Sequence, residues 1–213
     1  MASYVKKIIT CMCCGKKYEV NLLKGYSVEN SNVLDLDTNP HNPALFDRVL
    51  LCPFCGYATS SPYSALPDEI KVLVNDANYK EVLNNRHYDD NCRKLLLAGY
   101  LSVKRREAKE AGYNYLLAYW YMRDNGIAGC ERAREKAIKN FERYLLKTMD
   151  CEVAMILVDL LRQSERFEDA KETVLSLGSY IADNTELARI AEFEKQLILK
   201  QDSDIHKVEE VSV

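Results

Sequence analysis

The sequence predicts a mainly α-helical protein with a small β-containing module at its front. Three observations carry this. Glycine and proline are scarce, 8 and 5 in 213 residues, which disfavours an all-β chain built on many tight turns. From about residue 66 onward, apolar residues recur every three or four positions, the period of one helix face. Of eight cysteines, five lie within the first 55 residues: Cys11, Cys13, Cys14, Cys52 and Cys55. Hydrophobic residues make up 47% and charged residues 29%, the balance of an ordinary globular chain.

The elements follow in order. Residues 1–62 read as one module. Lys17 to Leu22 alternates, with Tyr18, Val20 and Leu22 on one face of a short strand. Asn39-Pro40-His41-Asn42-Pro43 reads as loop. Val49-Leu50-Leu51 is a second strand candidate that runs directly into Cys52. Residues 63–200 read as helices. Pro67-Asp68-Glu69 makes a good first turn for a helix reaching about Val82, since carboxylates suit the positive end of the helix dipole. Asp89-Asp90 marks the start of a helix over 90–108. The next, over 112–123, is apolar all round and so is expected to be buried on most sides. Ala133, Ala137, Phe141 and Tyr144 stripe a helix over 130–147. Asp150 is the expected N-cap of a helix over 151–163. Phe167, Ala170, Val174 and Leu177 stripe another, which Gly178 is expected to end. The last helix covers about 184–200. Residues 201–213 (QDSDIHKVEEVSV) are polar and without period, and are expected to be disordered or at most to dock weakly.

Helices of this length on short connections pack as antiparallel hairpins. In 151–178, small residues (Ala154, Ala170) mark the crossing of two helices joined by a tight Ser164–Phe167 link. That is the requirement of a tetratricopeptide-like hairpin, where two helices approach closely. Residues 113–147 offer a similar pair on a longer connection.

The sharpest chemical signal is a repeated Cys-x-x-Cys-Gly: Cys11-Met12-Cys13-Cys14-Gly15 and Cys52-Pro53-Phe54-Cys55-Gly56. The spacing puts two sulfurs on one side of a tight turn, and the glycine permits a positive φ that a side chain resists. Two such knuckles supply four thiolates, Cys11, Cys14, Cys52 and Cys55, which suits tetrahedral Zn²⁺. A single iron in the same thiolate set is the alternative. The 37 residues between Cys14 and Cys52 are a long separation for a zinc ribbon, which an insertion can fill. Pairing Cys11 with Cys13 would leave one residue for the turn, so Cys14 is chosen and Cys13 is expected to face outward. His41 is the alternative ligand, as the one histidine near the module. Four thiolates close the coordination shell, whereas a catalytic zinc keeps a position for water. The metal is therefore expected to be structural.

Both knuckles, with Asn42 to Asp47, Val49 to Ala58 and Ala111 to Arg123, resemble the bacterial domain-of-unknown-function family 2225. The resemblance covers about residues 5–180. One departure is Met12-Cys13, where the family more often has a proline-containing pair. The resemblance implies a zinc-ribbon-like module followed by tetratricopeptide-like helices, a cytoplasmic location and a metal site. It implies no reaction.

The expected function is that of a zinc-binding, tetratricopeptide-like module that engages a protein or peptide partner. The alternative is a nucleic-acid-associated zinc-ribbon protein, using Lys6, Lys7, Lys16, Lys17, Lys24 and the strip Lys104-Arg105-Arg106-Lys109. A formal net charge of −3, with Glu107 and Glu110 interrupting that strip, does not favour it. An enzyme is not expected: there is no glycine-rich phosphate loop, no His-Glu-x-x-His and no nucleophile elbow. No apolar run approaches the roughly 18 residues of a membrane span, and the first residues hold no apolar core of signal-peptide length.

Overall fold

The computed structural model describes residues 3–25, 43–207 and 210–211. The described chain is mainly helical, as expected, with two small antiparallel sheets near its front. Strands β1 (Ser3–Thr10) and β2 (Lys17–Gly25) form one hairpin. After α1 (Pro43–Phe46), β3 (Leu50–Leu51) and β4 (Ala58–Thr59) form the other. In β2, Tyr18, Val20 and Leu22 are half-buried and Lys17, Glu19 and Asn21 exposed, as the alternation predicts, while Leu23 beyond them is half-buried too. Strand β1 has no such signal, because Lys6-Lys7 and Ile8-Ile9 break the period of two.

The single helix expected to run from Pro67 to about Val82 is three pieces. They are α2 (Asp68–Lys71), a 3₁₀ turn (Val72–Asn75) and α3 (Ala77–Leu83). Asp76 makes the break: its backbone is extended at ψ 142°, and its carboxylate accepts from the Asn78 N–H to cap α3. Helices α4 (Asp90–Lys104), α5 (Ala108–Asp124) and α6 (Cys130–Leu145) follow. Asp89 caps α4 through the Cys92 N–H. The all-round apolar α5 buries Tyr115 through Trp120 and Met122. Then come α7 (Cys151–Gln163), capped by Asp150 through the Val153 N–H, and α8 (Phe167–Ser176). Gly178 does not end α8 in a left-handed conformation. The helix stops at Leu177, and Gly178 opens a short α9 (Gly178–Ile181) before α10 (Thr185–Leu199).

The described residues fall into two compact units, one holding 3–25 and 43–137, the other beginning at Ile138 inside α6. The cysteine module is hydrogen-bonded to Tyr79 of α3 and to Arg105, which caps α4.

In the first unit α4 packs along α5; in the second α7 packs along α8, with α10 against both. The α4–α5 and α7–α8 hairpins use the same three-residue link. Arg105 and Ser164 cap the first helices, Arg106 (φ 63°) and Glu165 (φ 61°) turn left-handed, and Glu107 and Arg166 lead into the second helices. The bonding is the same in both: Glu107 N–H to Ser102 O and Arg166 N–H to Leu161 O, with Arg106 to Val103 and Glu165 to Arg162 inside them. This six-to-one plus five-to-two pattern closes helix ends that most often carry glycine. The first tight hairpin is thus α4–α5, one helix earlier than the 113–147 pair expected from the apolar pattern.

The segment after α10, expected to be disordered or at most to dock weakly, is placed against its own unit over 201–207 and 210–211. Two of its carbonyls and the His206 ring supply contacts to α7 and α10. Asp202 O and Asp204 O accept from Arg162 Nη1 at 2.9 and 2.7 Å.

Candidate metal centre

Each knuckle is the turn of one hairpin. β1 and β2 end at the pair Thr10 and Lys17, and Cys11 to Lys16 forms the turn between them. β3 and β4 end at Leu51 and Ala58, and Cys52 to Tyr57 turns there. The two turns have the same bonding. Cys11 N–H donates to Lys16 O at 2.9 Å and Gly15 N–H to Cys11 O at 2.8 Å. Cys52 N–H donates to Tyr57 O at 2.9 Å and Gly56 N–H to Cys52 O at 2.9 Å. Gly15 and Gly56 have φ of 74° and 75°, the conformation for which glycine was expected.

The hairpins bring Cys11, Cys14, Cys52 and Cys55 together, their sulfurs all within 4.8 Å of one another. Cys11 Sγ lies 3.6 Å from Cys55 Sγ, and Cys14 Sγ 3.9 Å from Cys52 Sγ. Four sulfurs at about 2.3 Å from a tetrahedral ion would stand roughly 3.8 Å apart. The spacing and the donor chemistry therefore fit a tetrahedral thiophilic metal. Cys11 and Cys52 are buried, and Cys14 is the most open of the set.

The protein around the thiols explains their acidities. Burial pushes the Cys11 thiol up to about 11, against hydrogen bonds from the amides of the turn. Burial also raises Cys55, and the Cys11 and Cys52 thiols beside it raise it further. At Cys14 burial acts the same way but is outweighed by the Lys16 amide and the neighbouring thiols, which leave it lowered. Tyr18, on the strand leading from the first knuckle, is raised by burial and then by the sulfurs it faces. A metal that binds Cys11 and Cys55 must displace the protons that burial favours there.

Cys13 is not one of the four. Nor does it face outward: it is half-buried, with its Sγ 3.8 Å from the Lys71 carbonyl of α2. Phe54, its counterpart in the second knuckle, is the exposed one and lies under the Lys16 ammonium at 4.8 Å. His41 lies outside the described residues.

One supporting residue left no mark in the spacing. Tyr79 of α3 is fully buried; its hydroxyl donates to Gly56 O at 2.8 Å and accepts from the Ala58 N–H at 3.2 Å. The second knuckle is thereby fixed to the helices. In the basic strip at the end of α4, two side chains have partners within the molecule. Lys104 lies over the Tyr100 ring, and Arg105 donates to Tyr57 Oη.

Comparison with known proteins found no matching family model, no matching curated protein and no matching solved structure. Among the described residues, no helix is long and apolar enough to cross a membrane.

Proposed function

We propose that the chain is a zinc-stapled helical module that binds a protein or peptide segment in the cytoplasm, without catalysis of its own. The observation that carries the metal half is the convergence of four thiols, two from each hairpin, at tetrahedral spacing. Four thiolates and Zn²⁺ make a closed shell, so the ion's contribution is to hold two hairpins together. Two strands of each hairpin could not do so unaided, since a lone two-stranded hairpin is marginal in water. With the metal occupied in folding, the helices supply the working surface. The order of the module, two knuckles and then helical hairpins, also supports kinship with family 2225 and a tetratricopeptide-like reading of α4–α5 and α7–α8.

Elemental analysis of natively purified protein tests this. One zinc per chain is expected, lost in Cys14→Ser and kept in Cys13→Ser. Metal-free native protein, or equal loss in both variants, would end the reading.

A second reading has one observation in its favour. The β1–β2 hairpin and its knuckle carry Lys6, Lys7, Lys16, Lys17 and Lys24 against the single acid Glu19, which pairs with Lys6 at 3.2 Å. A nucleic acid held by this hairpin would show affinity that falls steeply with salt. Absence of binding at low salt would exclude it.

A further inference from the structure

Two carboxyl groups and one guanidinium meet inside the second unit, shut off from solvent. They belong to Asp159 and Arg162 of α7 and Glu194 of α10, which are 1%, 0% and 0% exposed. Arg162 Nε donates to Glu194 Oε2 at 2.8 Å, and its Nη2 donates to Asp159 Oδ1. Its Nη1 is taken by the carbonyls of Asp202 and Asp204. The other Asp159 oxygen, Oδ2, accepts from Gln163 Nε2. Both oxygens of Asp159 therefore have a donor. Glu194 is different: its Oε1 is buried and receives no hydrogen bond. What lies within hydrogen-bonding reach of Glu194, besides Arg162, is the Asp159 carboxyl. Two ionised carboxylates are acceptors only and have no proton to place between them.

With both acids ionised, this cluster would hold two negative charges against one positive, with one bare carboxylate oxygen, all away from water. A buried charge without a partner is strongly unfavourable, and so are two carboxylates side by side. One proton removes both faults. Placed on Glu194, it turns Oε1 into a hydroxyl that donates to Asp159 and leaves Oε2 to accept from Arg162. The cluster then holds one carboxylate and one guanidinium, and every oxygen is satisfied. Burial and then the Asp159 charge push the Glu194 carboxyl well above the usual range, against the pull of Arg162.

The surroundings leave this arrangement undisturbed. Of the helices packed on α10, α8 has its charged residues Glu168, Asp169, Lys171 and Glu172 exposed, and α9 has no charged residue and an exposed Tyr180. On α10 itself Glu192 is exposed and pairs with Lys195. Beyond α10, His206 is held between Asp202 and Glu210, and Arg162 opposes its charge.

We propose that Glu194 and Asp159 share one proton in the folded chain, with Glu194 as the acid, and that this proton latches α10 to α7. The contact is tight while the proton stays. Once it leaves, two like charges face each other across the helices and the contact weakens. The second unit thus carries a pH-sensitive device that involves neither the metal nor a partner.

The first test is the side-chain carboxyl carbon resonance of Glu194 in the full ¹³C-labelled chain, assigned through its own backbone correlations. At pH 7 it is expected at the position of a protonated acid, while exposed glutamates stand at that of carboxylates. Titration of Glu194 together with the exposed glutamates overturns the proposal. The latch is tested with Glu194→Gln, which keeps an N–H for Asp159 and an oxygen for Arg162 but cannot ionise. An unfolded glutamate releases its proton near about pH 4.3 and the folded one at higher pH, so wild type loses stability as pH rises between those values. Between about pH 5.5 and about pH 8.5 its denaturant midpoint is therefore expected to fall relative to that of the variant. A variant less stable than wild type by the same amount at both pH values overturns the latch, because Glu194 then acts as an ordinary ionised partner of Arg162. The resonance needs no variant, so it decides the shared proton even if Glu194→Gln does not fold.

Discussion

The Tyr79 hydroxyl donates to the Gly56 carbonyl at 2.8 Å, 23 residues earlier in the chain. The same oxygen accepts from the Ala58 N–H. Gly56 O and Ala58 N flank the end of the second knuckle, so a helix residue satisfies the two main-chain groups that its turn leaves over. The Tyr79 ring is held in turn by the edge of Tyr100 at 5.7 Å, on α4. The knuckle is therefore held from the helical side as well as by its own turn.

Tyr79→Phe keeps the ring and removes the hydroxyl. Two buried main-chain groups then lose their partner, which costs about 1–3 kcal/mol. The expected outcome is a lower denaturant midpoint together with faster zinc loss to a competing chelator. A variant that loses stability but surrenders zinc no faster would show that Tyr79 supports the helices alone.

The two knuckle glycines differ in their surroundings, which separates backbone strain from crowding. Both have φ near +75°. A Cβ on Gly15 would meet nothing within 4 Å, whereas one on Gly56 would lie 2.4 Å from Leu83 Cδ2. Gly15→Ala is expected to cost only the left-handed penalty, roughly 1–2 kcal/mol. Gly56→Ala adds a clash with a side chain of α3 and is expected to cost more, read as a larger fall in denaturant midpoint with zinc bound. Equal losses would show that Leu83 moves aside freely.

Much of the site was legible because its information is local. A knuckle needs two thiols three positions apart and a glycine after the second, and those residues stand in the sequence for both turns. The helices α4 to α8 were legible through period and through caps such as Asp89 and Asp150, which act over three residues. What escaped depends on partners far along the chain. Strand β1 exists because β2 pairs with it across the knuckle, although its own pattern is broken by paired lysines and paired isoleucines. Asp76 could be read as a cap or as a residue of a continuing helix, and only packing of Tyr79 onto the knuckle decides it. Arg162 meets Asp202 and Asp204 through their carbonyls, which every residue has, so composition could not mark that contact.

The imidazole of His206 gives the docked segment a pH dependence of definite sign. Burial opposes its charge, but Glu210 at 2.8 Å and Asp202 at 3.2 Å outweigh this and raise its pKa. The Phe193 ring meets it edge-on from α10, and Arg162 opposes the charge from α7. A folded pKa above the unfolded one means stability that is full below about pH 6.5, the unfolded imidazole value, and lost as pH rises through the raised folded value. Wild type minus His206→Gln, compared in denaturant midpoint at about pH 5.5 and about pH 8.5, should therefore be larger at the lower pH. A difference that does not change with pH would show that folding leaves the imidazole pKa where the unfolded chain has it.

Glu165 offers the opposite kind of variant, one that should stabilise. It turns left-handed at φ 61° in the link between α7 and α8, is exposed, and its N–H closes the helix end onto Arg162 O. A non-glycine residue in this region costs about 1–2 kcal/mol, and glycine gives back about 0.4–1 kcal/mol through the added freedom of the unfolded chain. Glu165→Gly is thus expected to raise stability by about 0.5–1 kcal/mol, measured as a higher denaturant midpoint at unchanged slope. The control is Gly126, which ends α5 with φ 62° and the same Ile127-to-Met122 bond. A Cβ there meets nothing within 4 Å, so Gly126→Ala should lower stability through the backbone alone, by a similar amount. If Glu165→Gly lowers stability while Gly126→Ala behaves as expected, the Glu165 side chain makes a contribution beyond its backbone, and the two hairpin links are alike in geometry but not in energetics.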